Sequence, residues 1–332
     1  MKVRAYAAQE PSAQLAPWTF EMDRPGPTEC IVTVRACGLC RSDVSMLGND
    51  WGITTYPFVP GHEIVGEVAE IGDQVHHMKK GDRVGVGWQG GACLQCDDCL
   101  KGKENLCSQT RPTIVGHHGG FAEAVKVDSR FAFPLPKGMD TNDAGPLLCG
   151  GITVYSALRH AGMKGAQRVG IIGVGGLGHL AVQFAARLGN EVTVFTTTPQ
   201  KAEYASQLGA HHAVVTREGL PRDVPAQDIL LNTVHVPLDW NAYVNLLASD
   251  GTLAFVGAPA EPLNVPVASL LMKRRRIMAS PIGSRAEIVE MLQAADTFGV
   301  RPTVETFPLA EINGAIARLR ANQIRYRAVV TL

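Results

Sequence analysis

Cys93, Cys96, Cys99 and Cys107 follow the spacing C-x2-C-x2-C-x7-C inside one short segment. Four thiolates at tetrahedral geometry suit a soft divalent ion such as zinc and leave no position open for chemistry. The surrounding lobe, 90–108, is rich in Gly, Lys and Asp and poor in large apolar residues, so bound metal is expected to supply its folding energy. Free thiols or disulfides are one alternative for such a loop. An iron–sulfur cluster is another. The ferredoxin run places its fourth Cys three residues on and follows it with Pro. Here the gap is seven residues and Ser108 follows, which favours zinc.

A second constellation is dispersed. Cys40, His62 and Cys149 would give two thiolates and one imidazole, an arrangement that keeps a fourth zinc position free for substrate. Scattered Cys and His are weak evidence alone, because each is more often a packed core residue. Cys37 and Cys40 also form a CxxC, which raises a redox pair, but no βαβ pattern surrounds it. Cys30 and Cys37 are left as packing residues.

The third chemical signal is Gly173-Val174-Gly175-Gly176-Leu177-Gly178. A lone GxGxxG is weak, but this one follows the apolar run 168–172 and opens a helical pattern over 177–188. Gly173 allows the tight turn, Gly175 lets backbone approach a pyrophosphate, and Gly178 lets helix and strand pack closely. The next strand, 191–195, ends in Thr196-Thr197-Thr198-Pro199-Gln200-Lys201, with no carboxylate before Glu203. An NAD site usually has Asp or Glu there for the ribose 2′-hydroxyl. Hydroxyls and Lys201 suit a 2′-phosphate instead, so NADP(H) is expected. The same threonines could simply cap the helix that follows.

The elements that must position these groups divide the chain in two. At 332 residues it is long enough for about two domains. The first half reads as short strands over 29–35, 64–71, 83–86 and 122–127, punctuated by Pro and Gly. After about Gly150 the pattern alternates. Strands are expected at 168–172, 191–195, 213–215, 229–233, 253–256 and 276–279, with helices at 177–188 and 201–208 between them. That alternation indicates a doubly wound parallel sheet, an α/β fold. The tail from Arg285 carries two amphipathic helices and a strand at 326–330. Lys plus Arg and Asp plus Glu are equal at 31 each, so no global attraction for nucleic acid or anionic membrane is expected. The one basic run, 273–276, reads as a solvated turn. No stretch approaches a membrane span, and the start lacks the apolar core of a signal peptide. A reducing, cytoplasmic setting is expected for eight cysteines without an export signal.

Five segments together carry a family resemblance: 37–43 (CGLCRSD), 61–63 (GHE), the four-cysteine lobe, 147–155 (LLCGGITVY) and 173–178 (GVGGLG). In this order, over essentially the whole chain, they resemble the zinc-dependent medium-chain alcohol dehydrogenases, nearest the cinnamyl alcohol dehydrogenase-like branch. The resemblance implies a GroES-like β-rich catalytic domain over 1–149 that resumes at 286–332, around a Rossmann NADP-binding domain at 150–285. It implies Cys40, His62 and Cys149 as catalytic zinc ligands, and Glu63 as a carboxylate able to enter the zinc shell. Asp43 would orient the ligand His, and Ser42 would take the substrate proton. Arg41 stands where some relatives hold the cofactor pyrophosphate. Thr153, Thr233, Gly257, Ser280 and Ile282 fall at cofactor-lining positions, and Thr196, Thr197 and Lys201 at the 2′-phosphate.

One departure is Ser45, where many relatives carry a His that ends the proton relay. The expected activity is hydride transfer between NADP(H) and a primary, aromatic or allylic alcohol or its aldehyde, with two zinc ions per subunit. Trp51, Phe58 and Trp88 are candidate pocket walls, with core packing as their alternative. A homodimer through the last sheet strand, near 276–279, is implied. Two rivals remain: a zinc-independent quinone or enone reductase of the same architecture, and a non-enzymatic nucleotide-binding protein.

Overall fold

A computed structural model describes residues 1–221 and 223–332. The chain separates into two compact units, one of Met1–Cys149, Ser284–Asp296 and Pro302–Leu332, the other of Gly150–Gly283 and Thr297–Arg301.

The first unit is built on a sheet ordered Val304–Pro308, Arg327–Thr331, Glu29–Leu39, Glu63–Ile71, Arg83–Val86, Phe133–Pro134, with Ala124–Asp128 also paired to Glu29–Leu39. The long strand Glu29–Leu39 is buried along most of its length, with Arg35 its one exposed residue. Its shifts in register against Glu63–Ile71, at Ile31/Val32 and Val34/Ala36, bend the pair. Two close approaches demand glycine. A Cβ at Gly66 would lie 2.1 Å from the Thr33 carbonyl oxygen, and one at Gly38 would lie 1.8 Å from Glu63 Oε2. Cys30 and Cys37 lie in this unit's core.

The second unit is a six-stranded, all-parallel sheet. Its order is His212–Val215, Glu191–Thr196, Arg168–Ile172, Gln227–Asn232, Leu247–Phe255, Arg276–Ala279. Numbered along the chain from Arg168–Ile172 this is 3-2-1-4-5-6, the dinucleotide-binding order, with the reversal beside the first strand. Helix Gly178–Arg187 buries eight of its ten residues, from Gly178 to Ala185.

Several elements were not foreseen: the ribbon Lys2–Ala7/Ala16–Glu21, helices Arg41–Gly48, Thr141–Pro146, Ile152–His160 and Trp240–Asn245, and strand Val304–Pro308. The short helices carry too few turns for a periodic apolar pattern. The strand expected at 253–256 begins earlier, at Leu247, because a register shift after Gln227 lets it pair further back. The domain boundary also differs, since Thr297–Arg301 groups with the second unit. Gln183 explains this: its Nε2 donates to the Arg301 carbonyl at 2.8 Å and its Oε1 accepts from Arg301 N at 3.2 Å.

Candidate active site and metal centres

Strand Glu29–Leu39 delivers the chain to Cys40, the N-cap of helix Arg41–Gly48. Asp43, in the first turn and 2 % exposed, makes three hydrogen bonds that fix the corner. Its Oδ2 accepts from Cys40 N at 2.9 Å, and its Oδ1 accepts from Gly61 N at 2.9 Å and from His62 Nδ1 at 2.9 Å. Gly61 needs its φ of +101°, and a Cβ there would meet Cys37 Sγ at 2.9 Å. With Nδ1–H spent on Asp43, His62 turns Nε2 inward, buried and without a partner. Cys149 arrives from far along the chain on a π-helical segment, Leu147–Gly151, an irregularity frequent at functional sites. Its Sγ is 3.9 Å from Cys40 Sγ. Ligand atoms of Cys40, His62, Glu63 and Cys149 all lie within 4.8 Å of one another.

The electrostatics of this buried cluster pull in opposite directions, and hydrogen bonding to Cys40 together with burial pushes the Cys149 thiol well above its ordinary range. Hydrogen bonding from Cys149, aided by His62 and Arg327, outweighs burial and holds the Cys40 thiol well below its ordinary range. Burial lowers His62, but Asp43 and Cys40 overcome it and push the imidazole well above its usual value. Burial lifts the Glu63 carboxyl to about 7 against the pull of Arg327. Arg327, 6 % exposed on strand Arg327–Thr331, pairs with Glu63 Oε1 through Nη2. Sequence reasoning missed it; the signal was an arginine inside an otherwise apolar strand.

The fit to a metal is a matter of donor chemistry. Two soft sulfurs, one bare imidazole nitrogen and a carboxylate held by its own arginine match a zinc site with an exchangeable position. The second cluster differs. Cys93 and Cys107 sulfurs are 3.5 Å apart, Cys96 and Cys107 3.8 Å, and Cys93 and Cys99 3.9 Å. These distances are too long for disulfides and suit shared coordination. Backbone N–H groups of Cys96 and Gln109 point at the sulfurs of Cys93 and Cys107. Phe131 packs on Cys99 and Cys107, and Arg285 lies over its ring while pairing with Glu104 at 3.1 Å.

The aromatic candidates separate. Trp88 meets the His62 ring edge-to-face at 5.0 Å, and Trp51, 48 % exposed, meets Trp88 at 5.9 Å. Phe58 is 2 % exposed in the core cluster and packs with Tyr56, so its observed role is core packing. Ser42 Oγ lies 3.9 Å from Cys40 Sγ, while Arg41 is exposed at the helix start.

In the second unit the glycine run sits at the carboxyl end of strand Arg168–Ile172. Gly173 has φ +92°, and a Cβ at Gly178 would strike the Gly173 carbonyl at 1.9 Å. A Cβ at Gly175 would meet nothing within 4 Å, leaving the open cradle a pyrophosphate needs. Thr196, Thr233, Gly257 and Ser280 all fall at the carboxyl ends of parallel strands, on one edge of the sheet. Thr233 Oγ1 donates to the Ile172 carbonyl at 2.9 Å, and Gly257 is forced by Val234, whose carbonyl oxygen would lie 2.2 Å from a Cβ. Thr153 lies half-buried on helix Ile152–His160, and Ile282 is half-buried beyond the last strand. Thr198 is the helix cap, accepting from Lys201 N at 3.3 Å, and Thr196 is buried. Thr197 is exposed and Lys201 half-buried.

Fold and site define a two-domain, zinc-type dehydrogenase. Residues 26–137 match the alcohol dehydrogenase GroES-like domain family, and 176–297 match the zinc-binding dehydrogenase family. The chain is 44 % identical to aldehyde reductase AdhA of Synechocystis over 331 residues, covering 99 % of this chain and 98 % of that one. It is 39 % identical to cinnamyl alcohol dehydrogenase 2 of Rauvolfia serpentina, covering 100 % and 95 %. Among solved structures, a Sorghum bicolor cinnamyl alcohol dehydrogenase superposes with TM-score 0.93 at 33 % identity, covering 100 % and 98 %. The chain belongs to the zinc-dependent medium-chain alcohol dehydrogenases, in the cinnamyl alcohol dehydrogenase-like branch, and is an oxidoreductase acting on alcohols or aldehydes. Among the described residues no helix is long and apolar enough to cross a membrane.

Proposed function

We propose that this enzyme reduces aromatic and allylic aldehydes with NADPH, and reverses the reaction on primary alcohols, using two zinc ions per subunit with separate roles. The observation that carries the reading is the buried, partnerless His62 Nε2 facing the thiols of Cys40 and Cys149 and the Glu63 carboxyl. Zinc held by Cys40, His62 and Cys149 supplies a Lewis acid for the substrate oxygen. Asp43 holds His62 in the Nδ1–H tautomer. Glu63, balanced by Arg327, stands beside the ligands. Ser42 carries the proton between substrate oxygen and solvent, with Ser45 available one helical turn on. The glycine run receives the pyrophosphate, and Thr197 and Lys201 receive the 2′-phosphate. NADP dependence also agrees with relatives named NADP-dependent alcohol dehydrogenase C in mycobacteria, 38 % identical. Trp88 and Trp51 offer a planar apolar wall beside His62, where each buried CH2-sized unit contributes about 0.8 kcal/mol. Cys93, Cys96, Cys99 and Cys107 hold the second zinc, without catalysis.

The enzyme acts as a homodimer through the edge strand Arg276–Ala279. Beside that strand, Val267, Leu271 and Met272 are 73 %, 71 % and 78 % exposed, an apolar surface a second copy would cover. Sedimentation giving only a monomer at micromolar concentration removes this point.

The test is NADPH oxidation with benzaldehyde, followed by dipicolinate treatment and zinc restoration. Activity lost and regained with zinc is expected, with benzaldehyde exceeding acetaldehyde in kcat/KM about tenfold from buried area. Full turnover by zinc-stripped protein would instead support the zinc-independent reductase.

A further inference from the structure

The four-cysteine lobe is joined to the catalytic site by a two-residue step. At Trp88 the side chain lies against His62, and at Gln89 it turns into the lobe. Gln89, 4 % exposed, donates through Nε2 to the Glu104 carbonyl at 2.7 Å and to Thr110 Oγ1 at 3.0 Å. Strand Gln89–Gly91 pairs with Arg111–Pro112, the two ends of the lobe. The next residue, Thr113, is 2 % exposed and clamps the step from the other side. Its N–H donates to the Trp88 carbonyl at 2.7 Å, and its Oγ1 donates to the Gly87 carbonyl at 2.6 Å. Gly87 in turn rests on Leu148, the neighbour of Cys149, whose carbonyl oxygen would lie 2.6 Å from a Cβ at position 87.

Trp88 is therefore held by backbone on both flanks, and both holds lead to the lobe. Free rotation of its indole is limited on one side by His62 and on the other by Trp51. Trp51 is half exposed and cannot by itself fix the pair.

We propose that Thr113 and Gln89 are positioning residues through which the folded lobe sets the indole of Trp88, and with it the preference for bulky over small aldehydes. The lobe is then a specificity device as well as a structural clip. This rests on the reading of Trp88 as a pocket wall. Gln89 reaches from this step into the lobe, and Thr113, next after the strand that closes the lobe, reaches back to the bend that carries Trp88.

The experiment compares zinc-loaded wild type with Thr113→Val, Thr113→Ser and Gln89→Met. The kcat/KM ratio of benzaldehyde to acetaldehyde is measured with NADPH, together with near-ultraviolet circular dichroism, whose Trp51–Trp88 component is defined by subtracting Trp88→Phe. Thr113→Val is expected to lower the ratio at least threefold, mostly through KM for benzaldehyde, and to weaken the Trp pair signal. Thr113→Ser, which keeps the hydroxyl, is expected to hold the wild-type ratio. Gln89→Met provides the same test if Thr113→Val does not fold. A lowered melting temperature with unchanged ratio and unchanged dichroism in the folded variant overturns the proposal, as does failure of Thr113→Ser to retain the ratio. Trp88→Ala separates the two readings. If it leaves the ratio unchanged, the pocket assignment falls and the selectivity claim with it. If it narrows the ratio while Thr113→Val and Gln89→Met do not, only the coupling falls.

Discussion

Cys93 and Cys107 stand 14 positions apart, and Cys40 and Cys149 stand 109 apart. The near set lies in a loop anchored by Arg285, Phe131 and the Gln89 contacts. The far set lies in the interior, on a sheet corner and a π-helical segment. A short loop needs a metal to fold, because it has little apolar surface to bury. A dispersed set needs the fold first, and the fold then bears a desolvated, charged cluster that must be wired internally. Asp43 and Arg327 do that wiring. Four like donors close a site, whereas two sulfurs, a nitrogen and an arginine-held carboxylate leave it able to exchange a ligand.

The sharpest break in this comparison is a serine in each set. Cys149→Ser should lower kcat/KM by about a thousandfold or more, since a Lewis acid is worth several kcal/mol to the reacting oxygen. Its melting temperature should stay near wild type. Cys93→Ser should do the reverse, costing about 3 kcal/mol and therefore about 6–12 °C in melting temperature. Metal analysis should find close to one zinc lost in each. A single zinc in fully active wild type would erase the distinction.

The wiring is tested next. Arg327→Met leaves Glu63 buried without its cation and should cost about 3–5 kcal/mol in denaturant unfolding. Adding Glu63→Gln to that variant should recover part of the loss. If the double variant is no more stable than the single, the pair is not what balances the site.

A smaller effect belongs to the second unit. Lys201→Ala removes one charge-assisted contact, worth about 1.5–3 kcal/mol, and should raise the NADPH KM about tenfold or more with NADH little changed. Equal losses with both cofactors would detach Lys201 from the 2′-phosphate.

The smallest effect is chemical. Backbone N–H groups of Gln95 and Cys96 bring the Cys93 thiol down to about 6, so it is a thiolate at pH 7.5, while burial pushes Cys30 up to about 12 and keeps it a thiol. After brief chelation at pH 7.5, iodoacetamide should modify Cys93 well before Cys30, as read by peptide mass. Lowering the pH to 5 protonates Cys93 and should slow its labelling about tenfold, one pH unit below its ionisation. Labelling that ignores pH would mean those N–H contacts do not hold in solution.

The sequence alone carried the closed cluster, the glycine run and the alternating sheet, because each is encoded within a few tens of residues. C-x2-C-x2-C-x7-C is local, and strand–GxGxxG–helix is local. The Cys40, His62 and Cys149 set was legible only through family resemblance, since spacing says nothing about residues that meet across a sheet. Gln89 and Thr113 gave no usable signal, Arg327 gave only that of an arginine in an otherwise apolar strand, and Phe58, read as either a pocket wall or a core residue, packs in the core. Their roles depend on which carbonyl, carboxylate or ring lies opposite after folding. Pairing of strand Arg327–Thr331 with Glu29–Leu39 carries Arg327 to Glu63. The return of the lobe through Arg111–Pro112 carries Thr113 to Trp88. Residue type and period determine which elements form; long-range register, fixed by burial and by paired polar groups, decides which side chains face one another.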